Sequence, residues 1–310
     1  MNRIKSILVV AEPSGEVASA LQKACVIARH FGAAIELFAC DAEHAYMAEH
    51  SYDRRGVSDA VSKCLADSRR FLDAMRSSIA AEDLEIRTSA ACETPLHAGV
   101  LRKVHEVEPD LVIRCVEARS TQRHSALTST DWQLLRTCPA PLMLTRGRAW
   151  GPVPRIAAAL DLQDEEPAAR RLLAAAAYLA TGCGGDLEIV HGDVAGRTAS
   201  TLERLHTLAS AAGLPGTHIE IVSGKPEQML PTFVHEHGTD VLVLGALSHR
   251  AGEAAGLVGT LTETLIERLD CDFLLVRPES SVRSDVLGAV GSAYATSQPS
   301  GYDGAGTAQR

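Results

Sequence analysis

A glycine-rich segment contains the residue types that a phosphate-binding loop needs. Residues 245–260 read GALSHRAGEAAGLVGT, with four glycines before a threonine. Glycine lets backbone amides approach a phosphate closely, and a helix that begins at Thr260 would add a favourable dipole and a hydroxyl donor. The same composition also suits a flexible strand-to-helix loop whose glycines serve only turns. The residues alone leave both interpretations open.

Other patterns that could carry catalysis or metal binding are weak. His235 and His237 lie two residues apart on a predicted helix and so on different faces, which argues against a shared metal ion and favours a surface role. The sequence has no His-Glu-x-x-His, no Gly-x-Ser-x-Gly and no complete Gly-x4-Gly-Lys-Ser/Thr pattern. We therefore predict no catalytic residues and no metal ligands, and the sequence favours a binding protein over an enzyme.

The elements that would position the glycine-rich segment follow an alternating plan. Short apolar runs such as ILVVA (7–11) and VLVLG (241–245) alternate with longer segments whose apolar residues recur every three or four positions. This pattern predicts an α/β fold with parallel strands and crossover helices. Ligands of such open sheets bind outside the carboxyl ends of the strands, where the strand order reverses. The loops after the first and fourth strands are therefore the informative ones.

The same plan occurs twice in the chain. EPDLVIRC (108–115) aligns with GTDVLVLG (238–245), and DWQLLRTCPAPLMLTR (131–146) aligns with TETLIERLDCDFLLVR (262–277). The spacing between the two aligned segments differs by only one residue between the halves. Such agreement in register indicates a tandem duplication.

We predict two tandem open, mostly parallel five-stranded sheets with helices on both faces, docked as a pseudo-dimer. The predicted segments are domain 1 (1–146), a linker (147–154), domain 2 (155–278) and a mobile C-terminal tail (279–310). The tail is rich in Ser, Gly, Ala and Thr, and so offers too few large apolar side chains to offset the entropy of ordering.

The fifth strand of each half predicts how the halves dock. PLMLT (141–145) and FLLVR (273–277) are apolar along nearly their whole length, and an exposed apolar sheet edge promotes aggregation. We expect these two edges to pair with each other. We also expect each half to keep its own sheet, since one continuous sheet through both segments would argue against the duplication.

The composition excludes several classes of protein. The 310 residues are 46% hydrophobic and 22% charged, which is too much apolar material for a disordered chain. A formal net charge of −9 would repel a phosphate backbone, so we expect no direct binding of nucleic acid. No export signal and no apolar run of about 18 residues is present, which predicts a cytoplasmic protein without a membrane span. The eight cysteines include no Cys-x-x-Cys pair, and we expect them to be reduced and mostly buried.

The glycine-rich segment resembles that of the universal stress protein family. The family pattern at this place is Gly-x2-Gly-x9-Gly followed by Ser or Thr. This chain has Gly245-x2-Ser248-x10-Gly259-Thr260, so the second glycine is a serine and the last spacing is one residue longer. The resemblance covers about residues 4–278, and it is strongest to the tandem members of the E type.

Other segments carry the same resemblance. ALD (159–161) ends the first strand of the second half, where the family commonly has an aspartate facing adenine. IVSGKPEQML (221–230) is like the family's Gly-x-Pro before the third helix, and STDWQLLRTCPAPL (129–142) resembles the E-type subgroup. His191-Gly192 departs from the usual His-Val, which removes an apolar contact to adenine.

The resemblance implies a non-catalytic stress-response protein that binds an adenine nucleotide, ATP with Mg²⁺, in its second domain. Asp161 would accept a hydrogen bond from the adenine or ribose, and Gly245, Ser248, Gly259 and Thr260 would hold the phosphates. Two alternatives stay open. One is a slow Mg-dependent ATPase, and the other is a scaffold that binds proteins or a small ligand and no nucleotide. Self-association is also compatible with the sequence.

We expect the first domain to have lost the nucleotide site. The alignment places Cys115, Thr128 and Ser129 where the second domain has its first glycine, last glycine and threonine. Glu12 stands in the place of the aspartate, and residues 114–146 contain no glycine. Side chains at those positions would narrow the approach of a triphosphate to the backbone.

An insertion after the second strand, CDAEHAYMAEHSYDRRG (40–56), is longer than its counterpart in the second half. Tyr46, Met47 and Tyr52 could line an apolar pocket for a ligand other than a nucleotide. Side chains of these types also commonly cover the edge of a core, so the sequence leaves the role of the insertion open.

Overall fold

Strands and helices alternate along both halves of the chain. The computed structural model describes residues 4–13, 16–50, 54–79, 81–116, 127–162, 166–193, 196, 198–245 and 260–277. The elements of the first half are β1 (Ser6–Val10), α1 (Val17–Phe31), β2 (Ala34–Asp41), α2 (Ala42–Glu49), α3 (Arg54–Ser77), β3 (Ile86–Cys92), α4 (Leu96–Val107), β4 (Leu111–Cys115), α5 (Ser129–Thr137) and β5 (Leu142–Thr145). Those of the second half are β6 (Arg155–Ala159), α6 (Glu166–Cys183), β7 (Asp186–Asp193), α7 (Thr198–Ala211), β8 (His218–Ser223), α8 (Pro226–His237), β9 (Val241–Gly245), α9 (Thr260–Arg268) and β10 (Asp272–Val276).

The strands form a sheet in the order β3-β2-β1-β4-β5-β10-β9-β6-β7-β8. Within each half the strands are parallel and follow the same order, with the third strand outermost and the fifth at the centre of the molecule. The repeated order confirms the predicted α/β fold of two tandem five-stranded units.

The two units join through their fifth strands. β5 and β10 pair antiparallel, with Leu144 opposite Phe273 and Met143 opposite Leu274. The predicted edge pairing is therefore correct. The expectation that each half keeps its own sheet is wrong, because this pairing makes the hydrogen bonding continuous across both halves. The duplication is still evident, since the single antiparallel junction separates two copies of one strand order.

Helices cover both faces of the sheet. Successive strand residues point to opposite faces, so Ile7 and Val9 enter one core cluster while Leu8 and Val10 enter the other. The first cluster includes residues of α1 and α6, and the second includes residues of α4, α5, α8 and α9. Both clusters draw side chains from both halves, so burial of apolar surface stabilises the halves as one packed body.

Helix packing also crosses the junction. α1 packs against α6, where the rings of Phe31 and Tyr178 stack with centroids 4.4 Å apart. α1 ends where the chain turns into a left-handed conformation at Gly32, a conformation that glycine adopts readily. Trp150, from the predicted linker, donates its indole N–H to Asp272 of β10 at 2.7 Å. The domain boundaries stay predictions, and the tail from residue 279 lies outside the described residues.

Helix α2 was not predicted. It has eight residues and buries only Ala45, so it lacks the repeated apolar face by which a helix is recognised in a sequence. Its start is nevertheless encoded locally, because the side chain of Asp41 accepts a hydrogen bond from the backbone N–H of His44 at 2.9 Å. Among the described helices, none combines the length and the apolar character that crossing a membrane requires.

Candidate functional site

The strand order of the second half reverses between β6 and β9. These strands are neighbours and parallel, with Ile156 opposite Val241 and Ala158 opposite Val243. Gly245 is the last residue of β9, and Asp161 follows β6 by two residues. Both therefore lie at the same carboxyl edge, where ligands of open α/β sheets bind. Asp161 is exposed and Gly245 is half-buried.

The backbone at Gly245 is open as far as the described residues are concerned. A Cβ atom placed there would meet no atom of the described residues within 4 Å. The hydroxyl of Thr262 donates to the carbonyl oxygen of Gly245 at 3.3 Å, which holds the first turn of α9 against the end of β9. The start of α9 thus lies beside the open backbone, and its dipole favours an anion there, although Glu263 also lies in that turn.

The remaining predicted site residues are only partly described. Thr260 is the first residue of α9, and its side chain lies outside the described part of the chain. Ser248 and Gly259 fall in 246–259, which the structure does not describe. The structure therefore brings together Asp161, Gly245 and the start of α9, and it leaves the other two residues as predictions.

In the first half the corresponding place is filled by a charged network. Arg114 of β4 stands beside Val10 of β1 and forms ion pairs with Glu12 and Asp131. The side chains of Arg114 and Asp131 are only 4% and 2% exposed. Burial acts to lower the pKa of Arg114, but the neighbouring carboxylates outweigh it and the pKa is raised, so the guanidinium stays charged. The alignment places neutral Leu244 and Thr262 at the equivalent positions in the second half.

The start of α5 is closed by its own side chains. The backbone N–H and the hydroxyl of Thr128 each donate to Asp131 at 2.7 Å, and the N–H of Asp131 donates back to the Thr128 hydroxyl at 3.2 Å. This capping box pairs the N–H groups of Thr128 and Asp131, two of the amides that the helix start would otherwise offer to an anion. A phosphate at this place would have to displace the carboxylate of Asp131.

Cys115 closes the first-half cleft further. It occupies the position equivalent to Gly245, and its thiol interacts with the backbone N–H of Glu16 at the start of α1. Burial raises the pKa of Cys115, so the thiol is neutral at physiological pH. The described parts of the two halves therefore differ, since no side chain fills the space at Gly245 whereas the first-half cleft is packed and internally paired.

Sequence reasoning overlooked the role of Arg114. A signal was present, because an arginine inside the apolar run LVIRC must find partners when the strand is buried. Both partners lie at positions that the predicted order of strands and helices identifies, since Glu12 follows β1 and Asp131 lies in the first turn of α5.

The departure at His191-Gly192 has a local packing reason. A Cβ atom at Gly192 would come within 3.0 Å of the carbonyl oxygen of Gly224, in the Gly-x-Pro turn before α8. His191 lies 2.8 Å from the carbonyl oxygen of Leu160, one residue before Asp161. The small residue thus lets the turn before α8 approach β7 closely.

Two further expectations have structural outcomes. His237 is half-buried instead of lying free on the surface, with Nδ1 3.2 Å from Glu188 and Nε2 3.3 Å from Glu220. These partners lie near the starts of β7 and β8, at the opposite edge from the candidate site.

In the insertion, Tyr46 and Met47 are 57% and 55% exposed, so they neither line a closed pocket nor cover a core edge. Tyr52 lies outside the described residues.

Comparisons with known proteins agree with this architecture. The family model described as "Universal stress protein family" matches residues 3–146 and 192–277. Universal stress protein E of Escherichia coli (strain K12) is 23% identical over an alignment of 312 residues. The match covers 90% of this chain and 96% of that relative.

Two solved structures share the fold. A universal stress protein from Archaeoglobus fulgidus DSM 4304 superimposes with a TM-score of 0.70 at 14% identity, covering 89% of this chain and 100% of that one. A functionally unknown protein from Pseudomonas aeruginosa PAO1 gives 0.64 at 21% identity, covering 94% and 98%. Since the family model matches most of the chain in two segments, this protein belongs to the universal stress protein family as a tandem member similar to universal stress protein E.

Proposed function

We propose that this tandem stress-response protein binds one adenine nucleotide, ATP with Mg²⁺, at the switch point of its second half and does not hydrolyse it. One observation carries the proposal. Among the described residues nothing fills the space at Gly245, beside the strand that leads to Asp161. In the first half Cys115 stands at the equivalent position, and Arg114 next to it pairs with Glu12 and Asp131.

The residues present suit the chemistry of a nucleotide. A carboxylate at Asp161 accepts hydrogen bonds from an adenine amino group or a ribose hydroxyl. An open backbone at Gly245 and the start of α9 suit phosphate oxygens, which favour backbone amides and the positive end of a helix dipole. Ser248, Gly259 and Thr260 would complete the phosphate contacts. Mg²⁺ would neutralise the phosphate charge, since it is usually held by phosphates and water with few protein ligands.

The proposal assigns the first half a structural role. Its cleft is occupied by the chain's own ion pairs, and its fifth strand completes the sheet edge of the second half. One nucleotide per chain is therefore the expected stoichiometry.

Hydrolysis of ATP would need a catalytic group in addition to the residues that bind the nucleotide. An ATPase must place a group that orients water towards the γ-phosphate. Ser248, His249 and Glu253 are the candidates that the glycine-rich segment offers, and all three lie outside the described residues. The proposal of a non-catalytic protein therefore rests on the absence of any catalytic pattern from the sequence.

The test is a calorimetric titration of the full chain with ATP and Mg²⁺, combined with an assay of phosphate release. We expect one bound nucleotide per chain and phosphate release no faster than in buffer. The variant Gly259→Asp should lose binding, because its carboxylate would repel the phosphates, while Thr128→Asp at the equivalent first-half position should bind like the wild type. Failure of the wild type to bind would overturn the nucleotide proposal, and steady phosphate release would overturn its non-catalytic part.

A further inference from the structure

Three different ligand groups meet at the outer part of the first half, away from the switch point. Asp41 ends β2, His44 lies in the first turn of α2, and Cys64 lies inside α3. Nδ1 of His44 and Sγ of Cys64 lie 3.0 Å and 2.9 Å from the same oxygen, Oδ2 of Asp41. One donor atom from each of the three residues lies within 4.8 Å of the other two.

A fourth group lies next to this cluster. Cys92 ends β3 and stands opposite Asp41 in the register of the sheet. Its thiol is hydrogen-bonded with the thiol of Cys64. The fold thus brings an oxygen, a nitrogen and a sulfur donor together at the carboxyl end of β2, with the thiol of Cys92 next to them at the end of β3.

We propose that Asp41, His44 and Cys64 bind one Zn²⁺ ion, with Cys92 as the fourth ligand. Zinc takes carboxylate oxygen, imidazole nitrogen and thiolate sulfur in tetrahedral sites, and bond lengths of roughly 2.0–2.3 Å place neighbouring ligand atoms about 3.3–3.8 Å apart. The observed separations of 2.9 Å and 3.0 Å need only a small expansion to admit the ion. Two sulfur donors disfavour Mg²⁺ and Ca²⁺, which prefer oxygen.

The remaining contacts of the cluster suit a bound ion. Oδ1 of Asp41 accepts from the backbone N–H of His44, which fixes the carboxylate and leaves Oδ2 directed at the other donors. Cys64 is buried, whereas His44 is exposed, so the ion can enter from the His44 side. Binding replaces the thiol protons of Cys64 and Cys92, and both protons pass to solvent.

The ion would stabilise the insertion. α2 buries only Ala45 and therefore gains little from its own packing. Ligands on β2, α2 and α3 would tie this helix to the sheet and to its neighbour. Because the site needs elements brought together by folding, zinc would bind the native state and raise the melting temperature of the protein.

A second group of potential ligands serves as an internal comparison. Glu188, Glu220 and His237 also place donor atoms within 4.8 Å of one another, but they include no thiol. Both ring nitrogens of His237 already face carboxylates. The proposal assigns zinc to the thiol-containing cluster.

The experiment is a zinc titration of the reduced, chelator-treated full chain against a chromophoric competitor, repeated with Co²⁺ to record the visible spectrum. We expect one zinc per chain, and a cobalt spectrum with tetrahedral d–d bands and a thiolate charge-transfer band. His44→Ala and Cys64→Ser should weaken zinc binding at least tenfold. His50→Ala, an exposed histidine next to the same helix, and His237→Ala should bind like the wild type.

Thermal unfolding with and without zinc provides the second measurement. Zinc should raise the melting temperature of the wild type and of His50→Ala, and should leave that of His44→Ala unchanged. Since His44 is exposed, its alanine variant should fold normally, so the test does not depend on the buried Cys64. Absence of zinc binding by the wild type, a cobalt spectrum without thiolate charge transfer, or loss of binding in His237→Ala would each overturn the proposal.

Discussion

The ammonium nitrogen of Lys23 lies 2.7 Å from Oδ2 of Asp272, in a buried ion pair that joins α1 of the first half to β10 of the second. The backbone N–H of Arg146 and the indole N–H of Trp150 also donate to the same carboxylate, each at 2.7 Å. Lys23 donates in turn to the carbonyl oxygen of Arg146 at 2.8 Å. The junction of the halves thus combines the β5–β10 strand pairing with the buried carboxylate of Asp272, which is paired with Lys23 and accepts two further hydrogen bonds.

Replacing Lys23 with methionine should destabilise the whole protein. The substitution keeps most of the side-chain volume but leaves Asp272 buried without its cation, a change that typically costs about 3–5 kcal/mol. Urea unfolding measures the loss. Lys5→Met is the matched control, since the Lys5 side chain is exposed and such surface changes stay within about 0.5 kcal/mol. Equal stability of the two variants would show that the buried pair is unimportant for the junction.

Replacing Arg114 with leucine should destabilise the first half. Leucine is the residue at the equivalent position of the second half, but here it leaves the buried Asp131 without its cation. We expect a loss of about 3–5 kcal/mol in the free energy of unfolding.

Adding Asp131→Thr to Arg114→Leu completes the copy of the second half at these two positions. Because the double variant no longer buries an unpaired carboxylate, it should be more stable than Arg114→Leu alone by at least about 1 kcal/mol. A double-mutant cycle by urea unfolding gives the coupling energy. Additive losses would contradict the role of Arg114 and Asp131 as one unit.

The cysteines should react slowly in the native protein. Burial raises the pKa of all eight thiols, to about 11 for Cys40 and Cys138 and to about 12 for Cys64, Cys183 and Cys271. A raised pKa means less thiolate at pH 8, and the thiolate is the nucleophile.

Ellman's reagent measures this reactivity in the presence of a chelator. We expect eight thiols to react promptly in denaturant, and native reaction at least tenfold slower, with a rate that increases as the pH rises towards 11. A native thiol that reacts at the rate of a free cysteine would contradict the burial of these side chains.

The docking of the two halves could be predicted from the fifth strands. Met143 and Leu274 belong to runs without alternating polar residues, and such strands need cover on both faces and at the edge. α2 could not be predicted in the same way, since it buries a single residue and its capping aspartate looks like an ordinary loop residue. Its position depends on packing against α3 and β3, and β3 is more distant in sequence.

The candidate site was predictable to the extent that strand order is predictable. Asp161 and Gly245 were expected at one edge because both follow parallel strands, and the register of β6 and β9 places them there. The network around Arg114 could not be assigned from sequence, because pairing of that residue with Glu12 and Asp131 depends on neighbouring strands and helices meeting in three dimensions. The proposed zinc ligands were missed for the same reason, since the four residues come from four elements.

The asymmetry between the halves is tested most directly by the same substitution at two equivalent positions. Gly245→Val would place a side chain at the end of β9, where no described residue lies within 4 Å, and Cys115→Val would place one where a side chain already stands. Calorimetric titration with ATP and Mg²⁺ should show one site in the wild type and in Cys115→Val, and at least tenfold weaker binding in Gly245→Val, equivalent to about 1.4 kcal/mol. Unchanged binding in Gly245→Val, or loss of binding in Cys115→Val alone, would contradict a nucleotide site in the second half.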